Sequence, residues 1–184
     1  MPRFLAIILI FFIAPMTACA QETPEAAYID GPLGPFEALM GTWTGHSTDP
    51  NSVGSDTMHF EWILAGQAVQ HTHAVGSGMY GGRTIYFFDN SLNEGSGSII
   101  YHYFTTAGFH TQGTAWWEGD TLHAYEEVIG HPSITGVDGI VTFNEDGTLT
   151  SQSNYLDGGE WTEGHGFHYR QTPDAEIVFT LEND

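Results

Sequence analysis

From residue 41 onward the chain is a succession of short runs in which apolar and polar residues alternate. Each run is closed by glycine, asparagine, aspartate or proline. Met58, Phe60, Trp62 and Leu64 alternate with His59, Glu61 and Ile63, and Val69, His71, His73 and Val75 alternate with Gln70, Thr72 and Ala74. A period of two buries one face of a strand and leaves the other wet. Similar runs are expected over 41–47, 83–89, 99–104, 109–117, 121–128, 140–144, 148–154, 161–170 and 177–181. Glu118-Gly119-Asp120, Glu145-Asp146-Gly147 and Asp157-Gly158-Gly159 mark tight turns between them. No segment keeps a helical period beyond one turn at 36–39, and no βαβ alternation occurs, which disfavours a parallel sheet. The reading is all-β, with about ten antiparallel strands in a sandwich or an up-and-down barrel.

Residues 1–18 have a different character. Arg3 precedes an apolar run from Phe4 to Ala14, which is too short to span a bilayer comfortably, and Pro15 with small residues follows. This is the layout of a signal peptide. Met16-Thr17-Ala18-Cys19 resembles a lipobox, with cleavage before Cys19 and lipidation of that cysteine. Ala18-Cys19-Ala20 instead allows cleavage after Ala20. The first option gives the single cysteine a use, since it has no disulfide partner in the chain. It implies a protein tethered on the periplasmic side of a bacterial membrane by an N-terminal lipid anchor. Residues 19–35, with Pro24, Pro32 and Pro35, read as a flexible tether. Residues 36–184 read as the domain.

Acidic residues number 23 against three basic ones, for a net charge of −20. A nucleic-acid partner is excluded, because no basic surface exists to displace counterions from phosphates. Hydrophobic residues make up 41% of the chain, with 12 Phe, 8 Tyr and 5 Trp, enough for a real core.

Gly41-Thr42-Trp43-Thr44-Gly45 after Phe36-Glu37-Ala38-Leu39-Met40 resembles the opening of calycin barrels, the G-x-W of lipocalins and the G-x-W-x-G-x-G of nitrobindin-like proteins, with Ser47 where the last glycine would stand. Phe60-Glu61-Trp62-Ile63-Leu64-Ala65-Gly66, Ile85-Tyr86-Phe87-Phe88-Asp89 and Tyr169-Arg170 are similar to segments of uncharacterised exported bacterial calycin-like proteins. The resemblance runs through most of residues 36–170. It implies a single closed antiparallel barrel around an apolar cavity, entered through a short N-terminal helical turn. It also implies that Arg170 packs over the indole of Trp43 in a cation–π contact that closes one end. Arg83 is expected to pair with Asp89, Glu61 or Glu94, or else to grip a ligand carboxylate.

Such a barrel is expected to bind a small hydrophobic ligand, with Trp62, Tyr86, Phe88, Tyr101, Tyr103, Trp117 and Tyr125 as candidate cavity liners. Two cofactor readings compete with it. His71 and His73 share a strand face with Val69 and Val75 and are candidate zinc ligands if His102, His110 or His123 joins them. In Phe167-His168-Tyr169-Arg170, an inward Arg170 would bring His168 inward too, as a haem ligand of the nitrobindin-like kind. No G-x-S-x-G elbow, placed cysteine nucleophile or phosphate-binding glycine fingerprint occurs, and the adjacent Glu126 and Glu127 point to opposite faces. A filled structural barrel and a small acid–base enzyme on a hydrophobic substrate are the remaining alternatives.

Overall fold

The computed structural model describes residues 31–49 and 54–180. The putting together of leader, lipobox and Cys19 therefore lies outside the described residues. The strands are β1 (Gly41–Ser47), β2 (Ser55–Ile63), β3 (Ala68–Val75), β4 (Tyr80–Asp89), β5 (Ser98–Thr105), β6 (His110–Glu118), β7 (Thr121–Ile129), β8 (Ile134–Phe143), β9 (Leu149–Asp157) and β10 (Glu160–Gln171). Each pairs antiparallel with its neighbour in sequence, and β10 returns to pair with β1, so the ten strands form one closed barrel. Closure places Trp43 opposite Gln171 and Gly45 opposite Tyr169. It leaves no sheet edge to template aggregation.

The alternation in the sequence is the inside–outside alternation of this barrel. Asp56, Met58, Phe60 and Trp62 face inward on β2, opposite Val75, His73, His71 and Val69 on β3. Tyr80, Thr84, Tyr86 and Phe88 continue the inner wall on β4, and Tyr103, Tyr101 and Ile99 on β5.

One end is plugged. A 3-10 turn, Gly34–Leu39, lies across it and buries Leu33, Phe36 and Leu39 completely. Phe36 packs against Tyr86 at 4.9 Å with the rings tilted and meets Trp117 edge-on at 5.4 Å. The Trp43 indole N–H donates to the Leu39 carbonyl at 2.8 Å, and Trp62 donates to Glu37 at 2.9 Å. Gly41 turns the chain from the 3-10 segment into β1 at φ 101°, a left-handed conformation that a side chain would disfavour. The tether expected over 19–35 thus gives way by Leu33, which belongs to the core.

Three departures from the sequence reading have physical causes. β8 begins at Ile134 rather than 140. Residues 134–139 hide their alternation behind Gly136 and Gly139, and the pairing with β9 shifts register between Ile134 and Gly136. The run at 177–181 is no strand over 177–180; Leu181 lies outside the described residues. With β1 and β10 already paired, no open edge remains to receive it. The tail is tied instead by the Thr172 amide to Thr42 and the Thr180 amide to Gly78. Arg170 does not cover Trp43. Tyr169 faces inward and is buried, so its neighbour Arg170 points outward, opposite Thr44, and is exposed. Trp43 is closed off by the 3-10 turn and by Phe143, edge-on at 6.5 Å.

Candidate functional site in the lumen

Beyond the plug the lumen changes character. On β7–β10 the inward-facing Ala124, Val137, Val141, Ser151, Ser153 and Phe167 all keep partial solvent exposure. An inward side chain with exposed surface borders space that protein atoms do not fill. Facing this space from the other side is a polar network.

Asp56 sits at its base, 5% exposed. Its Oδ2 accepts from the Tyr169 hydroxyl at 2.9 Å, and its Oδ1 lies 3.2 Å from His73 Nδ1. The strands create this arrangement. Met58 stands directly opposite His73 across the β2–β3 ladder and Asp56 diagonally to it, opposite Val75, and β1 lies between Asp56 and Tyr169 with Gly45 in the middle. Gly45 has no side chain to separate them. A Cβ there would stand 2.4 Å from the Tyr169 ring. His73 Nε2 contacts the Tyr103 hydroxyl at 2.8 Å, with the Tyr80 hydroxyl 3.5 Å further on. With Nδ1 toward the Asp56 carboxylate and Nε2 toward the Tyr103 hydroxyl, the His73 ring bridges the two. Burial raises the pKa of Tyr103 and Tyr80 above the ordinary phenol value, so both remain protonated donors.

Two further ionisable groups face inward. The His71 ring is stacked between Phe60, at 4.3 Å, and His73, at 5.4 Å. Its Nε2 is buried without a hydrogen-bond partner. Burial, then the neighbouring His73 and His59, holds its pKa well below the usual histidine value, so His71 is neutral at physiological pH. Glu126 on β7 accepts from the Thr111 hydroxyl. Burial raises its pKa, and hydrogen bonds from Thr111 and Tyr101 and the nearby His73 oppose that rise without cancelling it. The sequence reading dismissed Glu126 because it adjoins Glu127. That adjacency is what puts one carboxyl in the lumen and the other outside, where Glu127 meets Gln112. Asp56 and Glu126 are the site residues the sequence reading missed. An acidic residue at an inward position of an alternating run was their only signal.

The candidate liners separate into three groups. Trp62, Tyr86, Phe88, Tyr101 and Trp117 line the inner wall at or near the plug, where Tyr86 and Tyr101 are buried in the core. Tyr103 joins the polar network. Tyr125 lies on the outer face, 48% exposed against Trp161, because Ala124 and Glu126 take the inward positions of β7.

The cofactor readings meet a different fate. His71 and His73 do face inward, but their rings stack face to face and His73 spends both nitrogens on Asp56 and Tyr103. Among the described residues no three His, Cys, Asp or Glu side chains converge as a metal site. His168 points outward beside His46, so it is not a haem ligand inside the barrel. Arg83 also faces outward, between Thr72 and Phe104, and makes no ion pair with Asp89, Glu61 or Glu94.

No family model matches this chain, and no curated protein matches it.

Proposed function

We propose that this protein is an exported, lipid-anchored binding protein of the calycin type that takes a small hydrophobic ligand with a hydrogen-bonding group into the unplugged half of its barrel. The carrying observation is the partial exposure of inward-facing Ala124, Val137, Val141, Ser151, Ser153 and Phe167 opposite a preformed polar wall. An apolar space with a few fixed polar groups is what a small ligand needs. The Val141 and Phe167 side takes the apolar body, and Tyr103 and Tyr80 meet the polar end. Kinship with the uncharacterised exported calycin-like proteins rests on the Gly41-Thr42-Trp43-Thr44-Gly45 opening and the barrel.

The test is native mass spectrometry of the protein purified from its own host without detergent. A stoichiometric added mass below 1 kDa, roughly the size such pockets hold, is the expected result. A bare polypeptide that also takes up no apolar probe would overturn the reading in favour of a structural barrel. Anchoring is tested separately: Cys19→Ser should move the protein out of the membrane fraction.

The Asp56–His73–Tyr103 chain favours a second reading, an enzyme that moves a proton on the bound molecule. Under that reading His73→Gln retains the bound mass but abolishes its chemical conversion. Under the first reading no conversion occurs in either protein.

A further inference from the structure

We infer that the outer face of β1 and β10 carries a second site, a groove that binds a compact oxyanion, phosphate or carboxylate, through Arg170. The groove is about 300 Å3 and is walled by Arg170, His168 and His46, with the hydroxyls of Thr44, Thr48 and Thr172 around them. Ser47 completes the lining at the rim, opposite the inward-facing Phe167, while Thr44, His46, His168 and Arg170 all face outward. The strand register assembles the groove: His46 stands opposite His168, and Thr44 opposite Arg170. Inward Tyr169 forces both of its neighbours onto this face. The Thr44 and Thr172 hydroxyls bond at 2.8 Å, and the Thr48 amide donates to the Gly166 carbonyl at 2.9 Å, which fixes the groove's two ends.

The charge distribution gives the groove its meaning. The chain holds 23 acidic residues, yet among the described residues Arg170 has no carboxylate oxygen within 4.0 Å. The Thr148 hydroxyl and amide, at 2.6 and 3.1 Å, hold Asp146 Oδ1 and lower its pKa, with smaller help from the nearby His168 and Arg170. Asp174 flanks the groove in sequence without forming an ion pair with it. A guanidinium is a planar fork of donors that fits an oxyanion bidentately. Beside it stand two imidazoles, the Thr48 hydroxyl and whichever of the paired Thr44 and Thr172 hydroxyls keeps its proton free to donate. Arg83, the other arginine of the barrel, lies between Thr72 and Phe104 with no histidine opposite, so it supplies an internal control.

The experiment is a titration of the exported protein with inorganic phosphate, followed by amide-resolved NMR. Saturable shifts at Thr44, Thr48 and Thr172 are expected, with weakening of about tenfold or more in Arg170→Gln and no change in Arg83→Gln. Arg170 is exposed, so the variant should fold, and an unchanged thermal melt checks that it has. Absence of saturable shifts at the groove, or equal weakening by the two arginine variants, would overturn the proposal. A parallel arm uses phosphatidylglycerol vesicles with the Cys19→Ser protein, so that no lipid anchor takes part. Arg170-dependent vesicle binding without any response to free phosphate would overturn the assignment to a small solute and point to a headgroup.

Discussion

His73 Nδ1 lies 3.2 Å from Asp56 Oδ1, and the other oxygen of the same carboxylate accepts from Tyr169 across the barrel seam. One buried carboxylate thus ties the strand that closes the barrel to the strand that carries the lumen histidines. Closing the fold and orienting the candidate site are the same set of bonds.

Asp56→Ala leaves the buried Tyr169 hydroxyl and His73 Nδ1 without their partner. It should cost about 2–3 kcal/mol in urea unfolding, against about 1–2 kcal/mol for Tyr169→Phe, which takes the donor from Asp56 Oδ2 but leaves Oδ1 its contact with His73. Equal, near-zero costs would show that the carboxylate is not structural.

Gly45→Ala places a methyl 2.4 Å from the Tyr169 ring, so the ring must move and its hydroxyl leaves Asp56. The expected loss is about 2–3 kcal/mol. In a Tyr169→Ala background the penalty should largely vanish, and a double-mutant cycle measures the coupling. Full additivity would refute the contact.

His71 should make stability depend on acid pH. Its folded pKa is depressed below 6.5, so over the window beneath 6.5 the unfolded chain binds the extra proton. Stability is therefore complete above that value and is lost as pH falls toward the folded pKa. His71→Phe keeps a ring against Phe60 and removes the titration. The wild-type minus variant difference should be flat above 6.5 and fall below it by at most about 1.4 kcal/mol per pH unit, the one-proton limit. A flat difference throughout would refute a buried neutral His71.

Glu126 acts in the opposite direction. Its pKa is raised above 4.5, so the native state holds the proton longer than the unfolded chain. The associated stability is present below 4.5 and is lost as pH rises through the folded value. Glu126→Gln keeps a carbonyl acceptor for Thr111 and removes the ionisation, so urea melts should show the variant gaining on wild type as pH rises. A gain on lowering pH would contradict burial of this carboxyl.

Periodicity made the strands legible because a strand's side chains point alternately to two faces whatever its partner. It therefore found the runs around Met58–Ile63 and Val69–Val75 and the inward face of His71 and His73. It failed over 134–139, where Gly136 and Gly139 leave no side chain to show the alternation. The Gly41-Thr42-Trp43 opening correctly placed a buried tryptophan at a closed end. It misplaced what closes that end, because a pattern carries no phase between distant strands. Whether Tyr169 or Arg170 faces inward depends on the register of β10 against β1, a shift of one residue that exchanges the whole face.

By itself, the amino-acid sequence determined the all-β class, the number of strands to within one, the turns and an aromatic core, because these follow from local alternation, turn chemistry and composition. Only the tertiary structure decided that the last strand meets the first, that a 3-10 turn rather than an arginine plugs the barrel, and that Asp56, His73, Tyr103 and Glu126 share a lumen while Arg170 and His168 share an outer groove. Closure fixes every register at once, and register brings residues more than a hundred positions apart, such as Asp56 and Tyr169, within hydrogen-bonding distance.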